Sequence, residues 1–353
     1  MLRIPVVSFG VMNTNSPDLI RKAIDMGIKH FDTANGYLRG NSEKVIGEIV
    51  EETKSRDKVY IATKVHLAQD ENLGVFLPES SGQRLGATAE NFMNLLNVSL
   101  QRLRTDYVDI FHNHGLTSAK QVNYEPLMEA HVKIKKSGKA RFIGLSTHSN
   151  QPEVIRAAAD AGIYDVVLTA YNFTQKNVEE MNSAIRYAAG KGVGIIAMKT
   201  QRGLSREVPK TEAGHRAALK WALSNEDICT AIPGITAFDQ MDLDFSVMND
   251  LALTPEEKKS LELASAVTGA FACLNCRACV STCLRGVEIP SLMRAHMYAE
   301  EYGNLVQAEL TINESPEKFG LRTCRDCSSC TAACPHGIDV RLRVESLIAG
   351  GLC

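Results

Sequence analysis

The stretch that decides the fold is His30-Phe31-Asp32-Thr33-Ala34-Asn35-Gly36-Tyr37. It predicts a short buried strand that ends in an aspartate, followed by a loop that carries a tyrosine. Two later strand-like runs also lead to polar residues, since Lys64 closes one of them and His114 follows the other. If these three strands are neighbours in a parallel barrel, the four polar side chains meet at its C-terminal rim, where the active sites of such barrels lie.

Apolar, β-branched runs recur along the chain, with a helical pattern between each pair. Such alternation over about 250 residues predicts an α/β fold, a closed (β/α)8 TIM barrel. A flat, doubly wound sheet is the alternative, but it normally carries Gly-x-Gly-x-x-Gly after its first strand, and Phe9-Gly10-Val11-Met12 lacks this pattern. The predicted strands are 4–9, 28–32, 59–64, 106–112, 141–146, 165–170, 193–198 and 228–232.

Capping residues indicate where the helices begin. Ser16 and Pro17 predict the start of the first helix, and Thr88 predicts the start of a long amphipathic one. The stretch 66–87 contains Gly, Pro and Ser, and we interpret it either as a substrate lid or as a disordered insertion. A last barrel-associated helix follows the final predicted strand, so we place the barrel at residues 1–265.

The bulk composition narrows the class of protein. The net charge of −2 gives no reason to expect nucleic acid or an anionic membrane as a partner. No apolar run approaches the roughly 20 residues that span a bilayer. The N-terminus leads almost directly into a strand, with no visible signal peptide. We therefore expect a cytoplasmic protein.

Cysteine is the unusual residue of the composition. The chain has ten cysteines, and eight of them form two groups near the C-terminus. Each group follows Cys-x2-Cys-x2-Cys-x3-Cys. Without a secretory signal, such clustering indicates metal ligation rather than disulfide bonds. The first group is Cys273, Cys276, Cys279 and Cys283, and the second is Cys324, Cys327, Cys330 and Cys334.

This spacing is typical of iron–sulfur clusters. In two-cluster ferredoxins the fourth cysteine of each run ligates the other cluster. Zinc is the alternative, but zinc sites typically pair two Cys-x2–4-Cys knuckles, and two complete four-cysteine runs favour iron–sulfur. We therefore predict two [4Fe–4S] clusters. Their predicted ligands are Cys273, Cys276, Cys279 and Cys334 for one cluster, and Cys324, Cys327, Cys330 and Cys283 for the other.

Residues 266–353 form the predicted iron–sulfur domain. About 40 residues, including a helical stretch, separate the two cysteine runs, more than in a minimal ferredoxin. The region resembles the helical dicluster ferredoxin domains of anaerobic redox enzymes, which implies electron transfer. Of the two remaining cysteines, Cys229 is expected to be a small core residue of the eighth strand, and Cys353 is assigned no role.

The four rim residues suit the reduction of a carbonyl group. Hydride transfer to carbon requires a proton for the oxygen, and Tyr37 is the candidate acid. A phenol with a pKa near 10 matches neutral pH poorly. We therefore expect the Lys64 ammonium to lower the Tyr37 pKa, and Asp32 to keep Lys64 charged. His114 is expected to donate to the substrate oxygen. Each residue alone is typical of a cap or surface position, whereas four at consecutive rim positions predict an active site.

Residues 4 to about 250 resemble the aldo-keto reductase family. By this resemblance Tyr37 is the acid/base, Asp32 and Lys64 tune it, and His114 orients the carbonyl. The resemblance also implies a nicotinamide cofactor that binds across the same rim without a Rossmann fold or a metal. The matching segments are 31–34 with Tyr37, 40–43, 62–64, 106–109 with His114, 144–146 and 231–234.

The cofactor positions depart from the family pattern. Thr147 stands where an asparagine is expected, and Leu168 where a glutamine is expected. Met198 replaces an aromatic residue, and Gly234 and Gln240 replace a basic pair that grips a 2′-phosphate, so the choice between NAD and NADP stays open. The cofactor-binding residues implied by the resemblance are Ser146, Thr147, Asn172, Met198, Lys199, Gly234 and Gln240.

Together the two halves predict an oxidoreductase that interconverts a small carbonyl compound and an alcohol while electrons pass through the clusters. A flavin would couple single electrons to hydride transfer, yet the sequence shows no flavin motif. In one version nicotinamide performs the chemistry and the clusters serve a partner, such as a ferredoxin, or the fold. In the other, a cluster near the rim feeds the substrate while Tyr37 supplies protons. The alternative function is a redox-sensing or regulatory barrel protein whose clusters are structural or report the redox state.

Overall fold

A parallel sheet forms the centre of the barrel. The computed structural model describes residues 2–71, 73–202, 212–271, 273–315 and 317–352, so Cys353 lies outside the described residues. The sheet strands are β1 Phe9–Gly10, β2 His30–Asp32, β3 Tyr60–Val65, β6 Val108–Leu116, β7 Ala140–Thr147, β8 Val166–Ala170, β9 Gly194–Met198 and β10 Ile228–Ala231. They lie in this order and every neighbouring pair is parallel.

Contacts between the first and last strands close the sheet. Val7 and Gly10 form parallel bridges with Ala231 and Gly234, respectively. The Ser8 amide also donates a hydrogen bond of 2.8 Å to the Ala231 carbonyl oxygen. The predicted (β/α)8 barrel is therefore confirmed, and the alternative of a flat, doubly wound sheet is wrong.

Strand β6 is longer than the sequence predicts. Its pairing with β7 continues through a register shift to Leu116, which lies opposite Thr147. At the shift, the Gly115 amide donates to the Ser146 hydroxyl at 2.9 Å instead of to a backbone carbonyl. His114 therefore lies within the strand rather than after it.

The helices surround the sheet and begin where the capping residues predict. The Ser16 hydroxyl accepts from the Leu19 amide at 3.4 Å, and the Thr88 hydroxyl accepts from the Asn91 amide at 3.1 Å. None of the helices in the described ranges is both long and apolar enough to cross a membrane. The barrel helices are α1 Pro17–Asp25, α2 Asn41–Glu52, α3 Ala89–Leu103, α4 Ala119–Val122, α5 Glu125–Lys136, α6 Gln151–Ala161, α7 Val178–Gly190, α8 Glu212–Leu223, α9 Phe238–Ser246 and α10 Pro255–Phe271.

The stretch 66–87 forms an ordered hairpin over its described residues. Its strands β4 Gln69–Asp70 and β5 Val75–Phe76 are antiparallel, and Leu67 and Ala68 are fully buried. The stretch contacts the C-terminal part of the chain, where the Gln83 amide donates to the Asn313 carbonyl oxygen at 3.4 Å. The interpretation as a disordered insertion is therefore wrong for these residues.

A second apolar core lies in the C-terminal region. Its helices are α11 Ile289–His296, a π-helix Met297–Glu301, α12 Leu305–Ile312, α13 Leu321–Arg325 and α14 Val340–Ala349. Met12, from the loop after β1, packs against this core, and the side-chain amide of Asn304 donates to Asn13 Oδ1 at 3.0 Å. The C-terminal region therefore lies against the C-terminal mouth of the barrel. The predicted domain boundary at residue 265 falls inside α10.

Candidate active site

Three adjacent strands bring the predicted catalytic residues to one end of the barrel. Asp32 ends β2, which pairs with β3, and Lys64 lies near the end of β3, which pairs with β6. His114 lies two residues beyond His112, the partner of Lys64 in the β3–β6 register. Their spatial proximity thus follows from the parallel strand order.

Lys64 and Asp32 form a buried ion pair. The Lys64 ammonium lies 2.6 Å from Asp32 Oδ1 and also donates to the Thr33 carbonyl oxygen. The two side chains are 0% and 2% exposed. Burial lowers the pKa of Lys64 and raises the pKa of Asp32, while their mutual attraction opposes both shifts. The pair is stable only while both partners are present, because an isolated buried charge is costly.

Tyr37 lies above this ion pair on the short turn Tyr37–Gly40. The Lys64 ammonium is 4.8 Å from the centre of the Tyr37 ring, and no hydrogen bond joins the two side chains among the described residues. Burial, together with the negative charge of Asp32, raises the Tyr37 pKa well above its ordinary value. The expectation that this pKa is lowered is therefore wrong, because burial and the negative charge of Asp32 both disfavour the phenolate.

His114 belongs to a row of three histidines. Its ring is 5.9 Å from the Tyr37 ring in an edge-on arrangement, 4.9 Å from His66 and 6.4 Å from His148. Burial lowers the pKa of all three imidazoles, so they are neutral at pH 7. The sequence analysis missed His66 and His148, although each lies two residues beyond a predicted site residue, Lys64 or Ser146.

A cavity of about 40 Å³ lies between these histidines and the C-terminal region. Tyr37 and His114 line it from the barrel side. Arg294, Tyr298 and Glu314 line it from the C-terminal side, where the sequence gives no local signal for a site. The remaining lining residues are Met12, His66, Glu71, Gly115, Thr117, His148, Ser149, Lys199, Gln307 and Thr311.

Charged residues from both parts of the chain form a network beside the cavity. Glu314 lies 2.7 Å from Arg84 and 3.1 Å from Arg294. Glu71 lies 3.9 Å from each of the same two guanidinium groups. Two arginines and two glutamates therefore balance one another at the junction of the barrel and the C-terminal region.

A larger groove of about 210 Å³ opens on the other side of Tyr37 and Asp32. Four of the predicted cofactor residues line this groove, and Glu301 and Tyr302 of the C-terminal region also reach it. The Thr200 hydroxyl, another lining group, is buried without a hydrogen-bond partner among the described residues. The four predicted residues in the groove are Met198, Lys199, Gly234 and Gln240.

The other predicted cofactor residues lie elsewhere. The Ser146 hydroxyl accepts from the Gly115 amide, and the Thr147 hydroxyl donates to the Ser149 carbonyl oxygen at 2.7 Å. Asn172 lines a separate cavity of about 420 Å³ that also contains Cys276. The structure therefore brings together only part of the predicted cofactor site.

Two hydrogen bonds join the ends of the cysteine runs. The Thr282 hydroxyl accepts from the Ala333 amide at 2.8 Å, and the Thr331 hydroxyl accepts from the Leu284 amide at 3.1 Å. These reciprocal bonds place the end of each run beside the other run. Within the described ranges, no three His, Cys, Asp or Glu side chains converge on a point where a single metal ion would sit.

Cys273, Cys276 and Cys334, the other members of the first predicted ligand set, are close enough to Cys279 for their charges to act on it. Burial raises the Cys279 pKa to about 12, and the charges of Cys273, Cys334 and Cys276 add to this effect. Backbone amides of Asn275 and His336 donate to the sulfur atoms of Cys273 and Cys334, each at 3.4 Å. Amide donors to sulfur suit thiolate ligands, because they stabilise negative charge.

Cys229 is exposed, so the expectation of a core position is wrong. It lies in β10 between Ile228 and Thr230, both of which are buried. Successive strand residues point to opposite faces, which turns Cys229 away from the interior.

Comparison with known proteins identifies the families that the two regions match. The aldo/keto reductase family model matches residues 10–213, which is more than half of the chain, and a 4Fe-4S dicluster domain matches residues 268–338. An uncharacterised oxidoreductase of Bacillus subtilis, YqkF, is 22% identical over 286 residues, covering 72% of this chain and 89% of the relative.

Two solved structures have the same fold. The holo form of aldo-keto reductase AKR11C1 from Bacillus halodurans gives a TM-score of 0.60 at 22% identity, covering 74% of this chain and 93% of that one. An aldo-keto reductase from Klebsiella pneumoniae in complex with NADPH gives 0.55 at 19% identity, covering 74% and 92%. The chain is an oxidoreductase that belongs to the aldo/keto reductase family and carries a C-terminal 4Fe-4S dicluster domain.

Proposed function

We propose that this protein interconverts a small carbonyl compound and its alcohol, with Tyr37 as the proton donor. The observation that carries the proposal is the convergence of Tyr37, His114 and the Lys64–Asp32 pair at the mouth of the barrel. A general acid and a second donor beside one cavity are the groups that carbonyl reduction requires.

His114, Tyr37 and Lys64 have different proposed roles at the substrate oxygen. His114 donates a hydrogen bond that fixes the direction of the carbonyl. Burial keeps Tyr37 protonated at neutral pH, so its proton is available when hydride reaches the carbon. The tyrosinate that remains is stabilised by the nearby Lys64 ammonium, whose charge Asp32 supports. One hydride and one proton convert the carbonyl to the alcohol, and the reverse order oxidises the alcohol.

We further propose that the groove beside Tyr37 holds a nicotinamide nucleotide, as the NADPH complex of the Klebsiella relative suggests. Met198, Gly234 and Gln240 line this groove, and the unpartnered Thr200 hydroxyl is available to a polar group of the nucleotide. Such a nucleotide supplies the hydride. Gly234 and Gln240 stand where the family's basic pair would grip a 2′-phosphate and carry no charge, so the proposal includes both NAD and NADP.

The C-terminal region is proposed to hold two [4Fe–4S] clusters. The exchange of Cys283 and Cys334 between the runs is supported by the reciprocal bonds at Thr282 and Thr331. Clusters of this type carry single electrons. A ferredoxin or another electron-transfer protein is the proposed partner. About eight iron atoms per chain are expected after anaerobic purification, with visible absorbance that dithionite bleaches.

The test of this proposal is the Tyr37→Phe variant. Reduction of a panel of aldehydes and ketones is measured with NADH, with NADPH and with the dithionite-reduced protein. Loss of the general acid is expected to slow turnover by about 10²–10⁴-fold. Tyr187→Phe is the control, because Tyr187 is exposed and contacts Asp160 on the barrel surface. Undiminished turnover in Tyr37→Phe would contradict the role of Tyr37, whereas no turnover of the panel by the wild-type protein would favour a regulatory protein.

A further inference from the structure

Tyr298 places a second phenol at the catalytic cavity. It lies on the π-helix Met297–Glu301 and lines the same cavity as Tyr37. The Lys199 ammonium, which can only donate, lies 3.4 Å from the Tyr298 hydroxyl oxygen. This oxygen therefore accepts, and the proton of the hydroxyl has no acceptor among the described residues. Burial raises the pKa of Tyr298 to about 12, so the hydroxyl keeps its proton at neutral pH.

Gln307 adds an acceptor to the lining of this cavity. Its side-chain oxygen Oε1 is buried and has no hydrogen-bond partner among the described residues. The Thr311 hydroxyl donates to the Gln307 backbone carbonyl oxygen at 2.7 Å, so the same hydroxyl can only accept from the Gln307 side chain, through Nε2 at 3.5 Å. The amide nitrogen is thus engaged while Oε1 is not. A buried acceptor without a donor costs free energy, which indicates a bound group that donates to it.

Asn304 fixes the relative positions of these two residues. Its backbone amide donates to the Tyr298 carbonyl oxygen at 2.8 Å, and its side-chain oxygen accepts from the Gln307 backbone amide at 2.9 Å. The side-chain amide of Asn304 also donates to Asn13 in the loop after β1. One asparagine therefore holds the π-helix and α12 against each other and against the barrel mouth. π-Helices are rare and often occur at functional sites.

Most other polar side chains of the cavity already have partners within the protein. Tyr37 and His114 are used at the carbonyl oxygen in the proposed reaction. The donor and the acceptor of the C-terminal region therefore remain for a second polar group of the substrate. The lining residues that hydrogen bond or pair elsewhere are His66, Glu71, Thr117, Ser149, Arg294 and Glu314.

We propose that Tyr298 and Gln307 bind a hydroxyl group of the substrate, so that the substrate is a small carbonyl compound with a hydroxyl on the adjacent carbon. This inference rests on the proposed carbonyl chemistry at Tyr37. Through one atom, a hydroxyl accepts from the phenol and donates to the amide oxygen. A carboxylate or a second carbonyl has no proton to donate to Gln307.

The size of the cavity limits the distance between the two polar groups of the substrate. A volume of about 40 Å³ has room for about three water-sized groups, so the hydroxyl lies close to the carbonyl. Tyr298 and Gln307 both lie outside residues 10–213, which match the aldo/keto reductase family. Membership of that family therefore assigns them no role, and the C-terminal region supplies this part of the substrate specificity.

Ligand-observed NMR titration of the anaerobically purified, cluster-containing protein tests the inference. Hydroxyacetone is compared with 2-butanone, in which a methyl group replaces the hydroxyl. Hydroxyacetone is expected to bind at least about tenfold more tightly, because the methyl group leaves a buried donor and a buried acceptor unpaired. Turnover of both ketones is measured on the same preparations.

Tyr298→Phe and Gln307→Met each remove one of the two hydrogen bonds. Each is expected to reduce the preference for hydroxyacetone to about threefold or less, through a higher Kd for hydroxyacetone and little change for 2-butanone. Tyr302→Phe is the control, because Tyr302 directly follows the π-helix but lines the groove rather than the catalytic cavity. Iron content and melting temperature report whether the variants are folded.

Equal binding of the two ketones by the wild-type protein would overturn the inference, and this is the result expected if a buried water occupies the pair. An unchanged preference in both variants would also overturn it, because the hydroxyl would then bind elsewhere. A preference that both variants lose, without turnover of either ketone, would support the binding pair and contradict the proposed function. The Tyr37→Phe test stays independent, since it leaves Tyr298 and Gln307 in place.

Discussion

Arg84 of the hairpin stretch and Glu314 of the C-terminal region form an ion pair of 2.7 Å that is largely shielded from solvent. Burial raises the pKa of Glu314, but the positive charges of Arg84 and Arg294 and the hydrogen bond to His66 outweigh it, so this pKa lies well below its ordinary value. The pair joins two parts of the chain that are far apart in sequence, at the edge of the catalytic cavity.

Glu314→Gln is therefore expected to destabilise the protein. The substitution leaves Arg84 and Arg294 with too little negative charge, which costs about 3–5 kcal/mol for a buried pair. Because the pKa of Glu314 is depressed, its contribution is present above the ordinary value of 4.5 and is lost as the pH falls through the folded-state pKa. Thermal unfolding at neutral pH, and over a series of falling pH values below 4.5, measures both effects.

Glu309→Gln is the matched control for this prediction. Glu309 pairs with Arg39 across the same junction, but both side chains are exposed. Exposed ion pairs contribute about 0–1 kcal/mol, so the melting temperature is expected to change little. Equal effects of the two substitutions would show that the junction is held by something other than the buried network.

Lys64→Met is expected to impair both stability and catalysis. It leaves the Asp32 carboxylate buried without its partner and removes the cation that stabilises the Tyr37 anion. The double variant Lys64→Met/Asp32→Asn is expected to recover much of the stability, because it removes both charges, but not the activity. A double variant as unstable as Lys64→Met would contradict this account. Denaturant unfolding and turnover, measured on the same preparations, check the prediction.

The raised pKa of Asp244 predicts that the stability of the protein depends on pH. This groove residue accepts a hydrogen bond of 2.6 Å from Gln201, and burial raises its pKa from 3.8 to about 7. The folded state then binds a proton that the unfolded state releases, so stability falls as the pH rises from about 4 to 7. Asp244→Asn is expected to remove up to about 4 kcal/mol of this fall. Unfolding free energies near pH 5 and pH 8 measure it, and parallel curves for the variant and the wild type would exclude it.

Cys334→Ser tests the exchange of cysteines between the two runs. If Cys334 ligates the cluster of the first run, its loss is expected to lower the iron content of the chain by about half and leave the cluster of the second run intact. Cys229→Ser is the control, because Cys229 is exposed in the barrel. Cys276→Ser is expected to lose the same cluster as Cys334→Ser, so different electron paramagnetic resonance signals from the clusters that remain in the two variants would contradict the ligand exchange.

The sequence was sufficient for the parts of the site that depend on strand periodicity. Asp32, Lys64 and His114 lie at or near the C-terminal ends of their strands, and parallel neighbours in a barrel place such ends on one rim. The cysteine runs were equally informative, because their spacing is local. Helix caps such as Ser16 and Thr88 depend on a few adjacent residues and also agreed with the structure.

The features that depend on the packing of the C-terminal region against the barrel could not be predicted from local sequence patterns. Arg294, Tyr298 and Glu314 reach the catalytic cavity only because the C-terminal region packs on the barrel mouth, which no local pattern reveals. The Tyr37 pKa depends on the burial that this packing helps to create, so the expected direction was wrong. Asn172 faces a different cavity from Met198 because the loop after β8 lies beside the first cysteine run.

The placement of Tyr298 joins the catalytic cavity to the segment between the two cysteine runs. This residue lies on the π-helix between the two cysteine runs and forms one wall of the cavity whose opposite wall carries Tyr37. A shift of that segment would therefore reshape the catalytic cavity, although none of its residues belongs to the barrel.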